Sequence, residues 1–116
     1  MNLLQRQCTY FFPEAFPTAR SPNVDATNSA YEGWFVSTSN LFFANGQRDP
    51  WREATVSADG THFQSTPQRP IEVSDGFHCS DLITKNGQVD STVQSVIDAG
   101  LKALGGWLAE WKSSEN

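Results

Sequence analysis

Near the C-terminus Val89, Val93, Val96, Ile97, Leu101, Leu104, Leu108 and Trp111 recur chiefly at steps of three and four. That spacing gathers them on one face of an amphipathic α-helix. Ser91 followed by Gln94 predicts a capping box at its start. Gly100, Gly105 and Gly106 interrupt the pattern, each costing a helix about 1 kcal/mol relative to Ala. Glycines kept at that cost are expected to admit another element closely, so the helix is expected to lie flat against a sheet.

Upstream the pattern shortens. Leu41-Phe42-Phe43-Ala44 is a continuous apolar run between the polar turn Ser37–Asn40 and Asn45-Gly46. Such a run predicts a strand buried on both faces and ended by the Asn-Gly turn. Ile71-Glu72-Val73 is a second, shorter strand candidate, broken by Ser74-Asp75-Gly76. Between the two, Arg52 to Ala58 is expected to be helical, with Asp49 as its cap and Pro50 in the first helical position. Asp59-Gly60 is a turn, and Thr61 to Arg69 an unpatterned surface loop.

Closer to the N-terminus, Leu3 to Phe12 predicts one or two helical turns that Pro13 stops. Tyr10, Phe11, Phe12 and Phe16 around two prolines are expected to pack together. Val24 to Tyr31 predicts a short helix with Asn23 as N-cap and Gly33 as its stop, followed by a brief extended piece at Trp34–Val36.

Two strands joined by a helical crossover suggest a parallel pair and an α/β class. Parallel sheets need both faces covered. The chain is therefore expected to be the end of something larger: residues 1–116 form one segment, with an incomplete sheet and no second domain.

Composition narrows the function classes. With 116 residues, 38% hydrophobic and 12% aromatic, the chain has the means for a core. A net charge of −5 and a pI near 4.8 argue against nucleic acid, which demands clustered Lys and Arg. No apolar run reaches the length of a membrane span, and Met1–Arg6 lacks the apolar core of a signal peptide. Cys8 and Cys79 are the only cysteines; one disulfide and two inert buried thiols are both open. Were they close, a bridge would brace the loop that carries His78. No His or Cys cluster has metal-ligand spacing, since His78-Cys79 is a lone pair and His62 lies far off. Neither a metal nor another cofactor is expected.

Asp49 and His78 each follow a predicted strand. On adjacent parallel strands both would lie at the carboxyl edge of the sheet, where catalytic groups of open α/β sheets collect. An Asp hydrogen-bonded to a His orients the imidazole and steadies its cation while the other ring nitrogen acts as a base. The α/β-hydrolase order is Ser, then Asp, then His, and these two fit its last two places. On spacing alone, an Asp before Pro at a helix start is far more often an N-cap than a catalytic acid, and a His in a Gly-rich turn is often only a turn residue.

The phrases Asn45-Gly46-Gln47-Arg48-Asp49-Pro50-Trp51 and Asp75-Gly76-Phe77-His78-Cys79-Ser80-Asp81-Leu82 closely resemble a family of proline-specific serine peptidases. That family includes lysosomal Pro-X carboxypeptidase, dipeptidyl-peptidase II and the fungal acid prolyl endopeptidases. The leading segment Gln5 to Pro13 looks most like the fungal endopeptidase branch. The resemblance implies the C-terminal part of an α/β-hydrolase fold, its last parallel strands and closing helix. It makes Asp49 the triad acid, His78 the general base, and peptides the substrate of the intact parent. It gives Trp51 a place in the wall of the pocket for the substrate's proline, where a flat aromatic face suits the pyrrolidine ring; core packing is the other reading of Trp51. It gives Asp81 a supporting role in the His78 loop and implies a secreted or lysosomal/vacuolar setting.

One part of the pattern is missing. No Gly-x-Ser-x-Gly elbow occurs in these residues, and with it go the nucleophile and an oxyanion donor. Taken alone, the chain is expected to be inactive for want of a nucleophile. The alternative is a non-catalytic acidic fragment that binds a partner chain, including the missing N-terminal part of its own fold. A sugar-binding module using its four tryptophans is a third reading; Trp107 and Trp111 lie on the apolar stripe, where packing accounts for them better.

Overall fold

The computed structural model describes residues 3–61 and 63–114. The chain divides into two compact units, Met1–Val36 and Ser37–Asn116.

In the first unit, α1 runs Leu3–Phe11 and α2 runs Val24–Tyr31. Pro13, with no N–H to give, ends α1 close to where the sequence places its stop. Asn23 caps α2 as expected, its Oδ1 accepting from the Ala26 N–H at 3.3 Å. Glu32 takes the left-handed conformation that closes the helix. The chain then turns through a 3₁₀ helix at Gly33–Phe35, held by the Phe35 N–H on the Glu32 carbonyl at 2.8 Å. That bond replaces the extended piece predicted at Trp34–Val36. The aromatic cluster does not form a packed core in this unit. Tyr10 and Phe11 meet edge to face with centroids 5.4 Å apart, yet Tyr10 is 82% exposed, and Phe11, Phe12 and Phe16 are exposed too.

The second unit is α/β. Strands β1 (Phe43–Gly46) and β2 (Ile71–Ser74) form a two-stranded parallel sheet, with Phe43 opposite Ile71 and Gly46 opposite Ser74. The predicted strand is displaced by two residues. Asn45 and Gly46 pair with Val73 and Ser74 instead of turning away, and the Gln47 N–H extends the ladder to the Ser74 carbonyl at 2.7 Å. Neither strand is buried on both faces: β1 is half-buried up to Gly46, and Val73 of β2 is exposed.

The connection contains a 3₁₀ helix only at Pro50–Ala54, not a helix reaching Ala58. Thr55 is the physical reason. Its hydroxyl donates to the Arg52 carbonyl at 2.8 Å and accepts the Ser57 N–H at 3.2 Å, a local alternative to the helical ladder. Val56 and Ala58 then turn inward, and with Val93 and Val96 they are the buried apolar residues among those described.

Past β2, a 3₁₀ turn at Ser80–Leu82 leads into α3 (Thr84–Val89) and α4 (Ser91–Ser114). Helix α3 was absent from the sequence reading, and Val89 ends it instead of joining the stripe of α4. The cap of α4 is Asp90, not Ser91. Asp90 Oδ1 accepts from the Thr92 N–H at 2.9 Å and the Thr92 hydroxyl at 2.7 Å. Gln94 does not close a capping box; its amide donates to Asp98 Oδ1 at 2.8 Å. The α4 helix packs on β2, α3 and the Ser80–Leu82 turn. Gly100 meets the expectation of close approach, since a Cβ there would stand 3.3 Å from the Phe42 ring. Gly105 and Gly106 do not, having nothing within 4 Å of that position. Among the described residues no helix is long and apolar enough to cross a membrane.

Candidate active site

The carboxyl ends of β1 and β2 bring two loops together, and glycine permits it. A Cβ on Gly46 would fall 2.7 Å from both the Gly76 carbonyl carbon and the Phe77 carbonyl oxygen, closer than real side chains stand. On Gly76 it would meet the Ser80 side chain at 2.8 Å. The backbone φ of Gly46 is not positive, so what this position requires is the absence of a side chain, not unusual backbone freedom.

Beyond Gly46 a tight turn places Asp49, its N–H on the Gly46 carbonyl at 3.1 Å. The two carboxylate oxygens of Asp49 then divide the work. Oδ1 accepts from the Trp51 N–H at 2.9 Å, capping the Pro50–Ala54 turn. Oδ2 lies 2.8 Å from Nδ1 of His78. The cap and the His partner, alternatives in the sequence, are both present on one side chain.

The Asp49 side chain is only 8% exposed, whereas that of His78 is 59% exposed. The His78 hydrogen bond, aided by the Trp51 N–H, holds the Asp49 carboxyl below its ordinary 3.8 against the opposing effect of burial. Asp49 is therefore ionised near neutrality and can only accept. With an acceptor-only partner the proton of the shared bond sits on Nδ1, which leaves Nε2 of a neutral ring without a proton. An imidazole so arranged can take a proton at Nε2 while the carboxylate steadies the resulting charge.

The His78 loop is braced from several sides. The Phe77 N–H donates to Ser80 Oγ at 2.9 Å, and Asn86 Nδ2 donates to the Ser80 carbonyl at 2.9 Å. Asp81 lies in the Ser80–Leu82 turn that these bonds join to the loop. The Asp75 N–H donates to Thr92 Oγ1 at 2.8 Å, tying the loop to the capped start of α4. Directly after His78, Cys79 adopts a left-handed backbone with φ of 57°, an uncommon state for a residue other than glycine.

A depression of about 290 Å³ opens at this edge, lined among others by Gly46, Asp49, Trp51, His78, Cys79 and Asp81. Trp51 is 66% exposed there, which removes core packing as its role within this unit. Cys8, in the first unit, and Cys79, in the second, are free, exposed thiols, so neither is an inert buried thiol. The sequence reading missed Arg48, Ser74 and Thr92, which fix the loops through contacts far apart in sequence. The two glycines were visible, but as turn formers and not as points of contact.

Residues 1–96 match the family described as Serine carboxypeptidase S28. The chain is 32% identical over 114 residues to the serine protease vicPa of Bipolaris victoriae (strain FI3), covering 92% of this chain and 21% of that protein. It is 29% identical over 116 residues to the serine protease vicPb of the same fungus, again covering 92% and 21%. The chain thus spans about one-fifth of the length of these relatives. No solved structure matches it.

Proposed function

Because this chain belongs to the serine carboxypeptidase S28 family, we infer that Asp49 and His78 are the acid and base of a serine peptidase triad. In this reading the attacking serine stands on a part of the fold outside these 116 residues. His78 Nε2 takes the serine proton as the hydroxyl attacks the peptide carbonyl, then delivers it to the departing amine. Asp49 keeps Nδ1 protonated throughout and stabilises the imidazolium between the two transfers. The observation that carries the reading is the 2.8 Å contact between Asp49 Oδ2 and His78 Nδ1, at a depression that both residues line.

The finer parts of the proposal rest on the motifs. The parent fold is an α/β-hydrolase, of which β1, β2 and α4 are the final elements. The cleaved bond adjoins a proline, and Trp51, exposed at the rim of the depression, offers its ring to the pyrrolidine. The parent works in a secreted or lysosomal/vacuolar setting, with no cofactor.

The test is turnover of a proline-containing peptide. The chain alone is expected to show none. Co-expressed with a family segment that carries the serine elbow, it is expected to restore cleavage. His78→Ala is then expected to abolish most of it, and Asp49→Asn to lower kcat by about 10⁴-fold, as loss of the orienting acid does elsewhere. Turnover by the chain alone, or full activity with His78→Ala, would overturn the proposal.

A second reading, binding of a partner chain, is favoured by the exposed Leu101, Leu104 and Leu108 on α4. The occupant it names is the preceding part of the same fold, so the two readings converge in the intact parent.

A further inference from the structure

Two consecutive residues after β1 hold four consecutive residues after β2. Asp49 holds His78, as described above. Arg48 holds the three residues before it. The Arg48 N–H donates to the Gly76 carbonyl at 3.0 Å, and its side-chain Nε donates to the Asp75 carbonyl at 2.7 Å. Its guanidinium carbon stands 4.9 Å from the centroid of the Phe77 ring, within the range of a cation–π contact.

We propose that Arg48 is a positioning residue for the general base: its side chain clasps Asp75 and Phe77 and so sets where the His78 imidazole meets Asp49. The proposal rests on the catalytic reading of the Asp49–His78 pair.

The physical case is one of geometry. The His78 side chain is mostly exposed, so packing around the ring restricts it little and its place is set by the backbone that carries it. Its Nδ1 must nonetheless remain about 2.8 Å from one carboxylate oxygen for the tautomer to be fixed. An error of about 1 Å in such a pair is enough to lose most of its catalytic value. The Thr92 and Ser80 bonds tie the loop to α4 and to the Ser80–Leu82 turn. The two Arg48 side-chain contacts, on residues to either side of Gly76, tie it to the segment that carries Asp49. A planar guanidinium suits both partners at once, since Nε lies in its plane and its face stacks on an aromatic ring. Lysine offers charge without that fixed donor.

The imidazole nitrogens themselves are the readout. Long-range ¹H–¹⁵N spectra of the 116-residue chain near neutral pH distinguish Nδ1–H from Nε2–H in His78. In the wild type, Nδ1–H is expected to dominate. In Arg48→Met, which keeps the aliphatic stem, the ratio of the two tautomers is expected to shift about fivefold towards Nε2–H, the factor one ordinary net hydrogen bond is worth. Arg48→Lys is expected to fall between them. Far-UV circular dichroism is expected to stay unchanged, because Arg48 is exposed.

A wild-type His78 with Nδ1–H, together with a folded Arg48→Met variant of identical tautomer ratio, would overturn the clasp and leave the pair standing. A wild-type His78 with Nε2–H would overturn the pair, and the clasp with it. Should Arg48→Met lose its helical signal, Arg48→Lys decides: a ratio equal to wild type overturns the proposal, and an intermediate shift supports it.

Discussion

The two halves of α4 carry the same sequence pattern and meet different surroundings. In its first half, Val93 and Val96 are 2% and 3% exposed, the helix start is tied through Thr92 to the His78 loop, and Gly100 lies against the Phe42 ring. From Leu101 onward, Leu101, Leu104, Leu108 and Trp111 are exposed at 64%, 50%, 47% and 59%, and Gly105 and Gly106 face open space. Periodicity specifies a face that seeks cover; it does not specify that the cover is in the same polypeptide.

The strongest way to break this comparison is to place a charge in each half. Val93→Asp buries an unpaired carboxylate, expected to cost about 3–5 kcal/mol and to unfold the second unit. Leu104→Asp is expected to change stability by no more than about 0.5 kcal/mol, as at an ordinary surface position. Urea titration followed by circular dichroism compares them, and equal losses would show that the second half is covered after all.

Glycine substitution sharpens the contrast at smaller amplitude. Gly46→Ala drives a methyl group into the Gly76–Phe77 backbone and is expected to destabilise by about 1–3 kcal/mol. It should also part Asp49 from His78, visible as loss of the Nδ1–H tautomer. Gly105→Ala, with open space around it, is expected to stabilise the helix by about 1 kcal/mol. A destabilising Gly105→Ala would contradict the exposed second half.

The same contrast explains what could be read in the sequence. Signals that act over three or four residues were legible: the period of α4, the Asn23 cap, and the Asp49 cap beside Pro50. The parallel pairing and the meeting of Asp49 with His78 followed from strand order, because adjacent parallel strands deliver their loops to one edge. What failed depended on partners distant in sequence. Asn45-Gly46 has the form of a turn, yet the Val73–Ser74 backbone draws it into β1. Ser91-x-x-Gln94 has the form of a capping box, yet Asp90 stands one residue earlier with two bonds to Thr92. The Tyr10–Phe16 aromatics have the composition of a core and are exposed in their own unit. Arg48 could not be singled out, because its three contacts lie 27 to 29 positions further on, at Asp75, Gly76 and Phe77.

The smallest expected effect is acid sensitivity, which separates the closed half of α4 from the site it supports. The Thr92 hydroxyl, then the Thr92 and Val93 N–H groups, hold the Asp90 carboxyl below its ordinary 3.8. The Asp49 carboxyl is held below the same value chiefly by the bond to His78. A carboxyl that releases its proton more readily in the folded chain favours folding above its unfolded value. That contribution fades as pH falls below 3.8 and through the folded value. Both groups should therefore titrate below 3.8 in carboxyl ¹³C spectra, and stability should decline with acid in that window. Asp90→Asn should remove only the part felt as fraying at the start of α4, leaving the His78 tautomer in place. Asp49→Asn should do the reverse, releasing His78 while the Thr92 and Val93 amides at the head of α4 keep their protection from exchange. If either substitution moved both readouts equally, the capped helix and the Asp49–His78 pair would be one cooperative unit, and the division of α4 into a supporting half and an open half would have to be redrawn at Thr92.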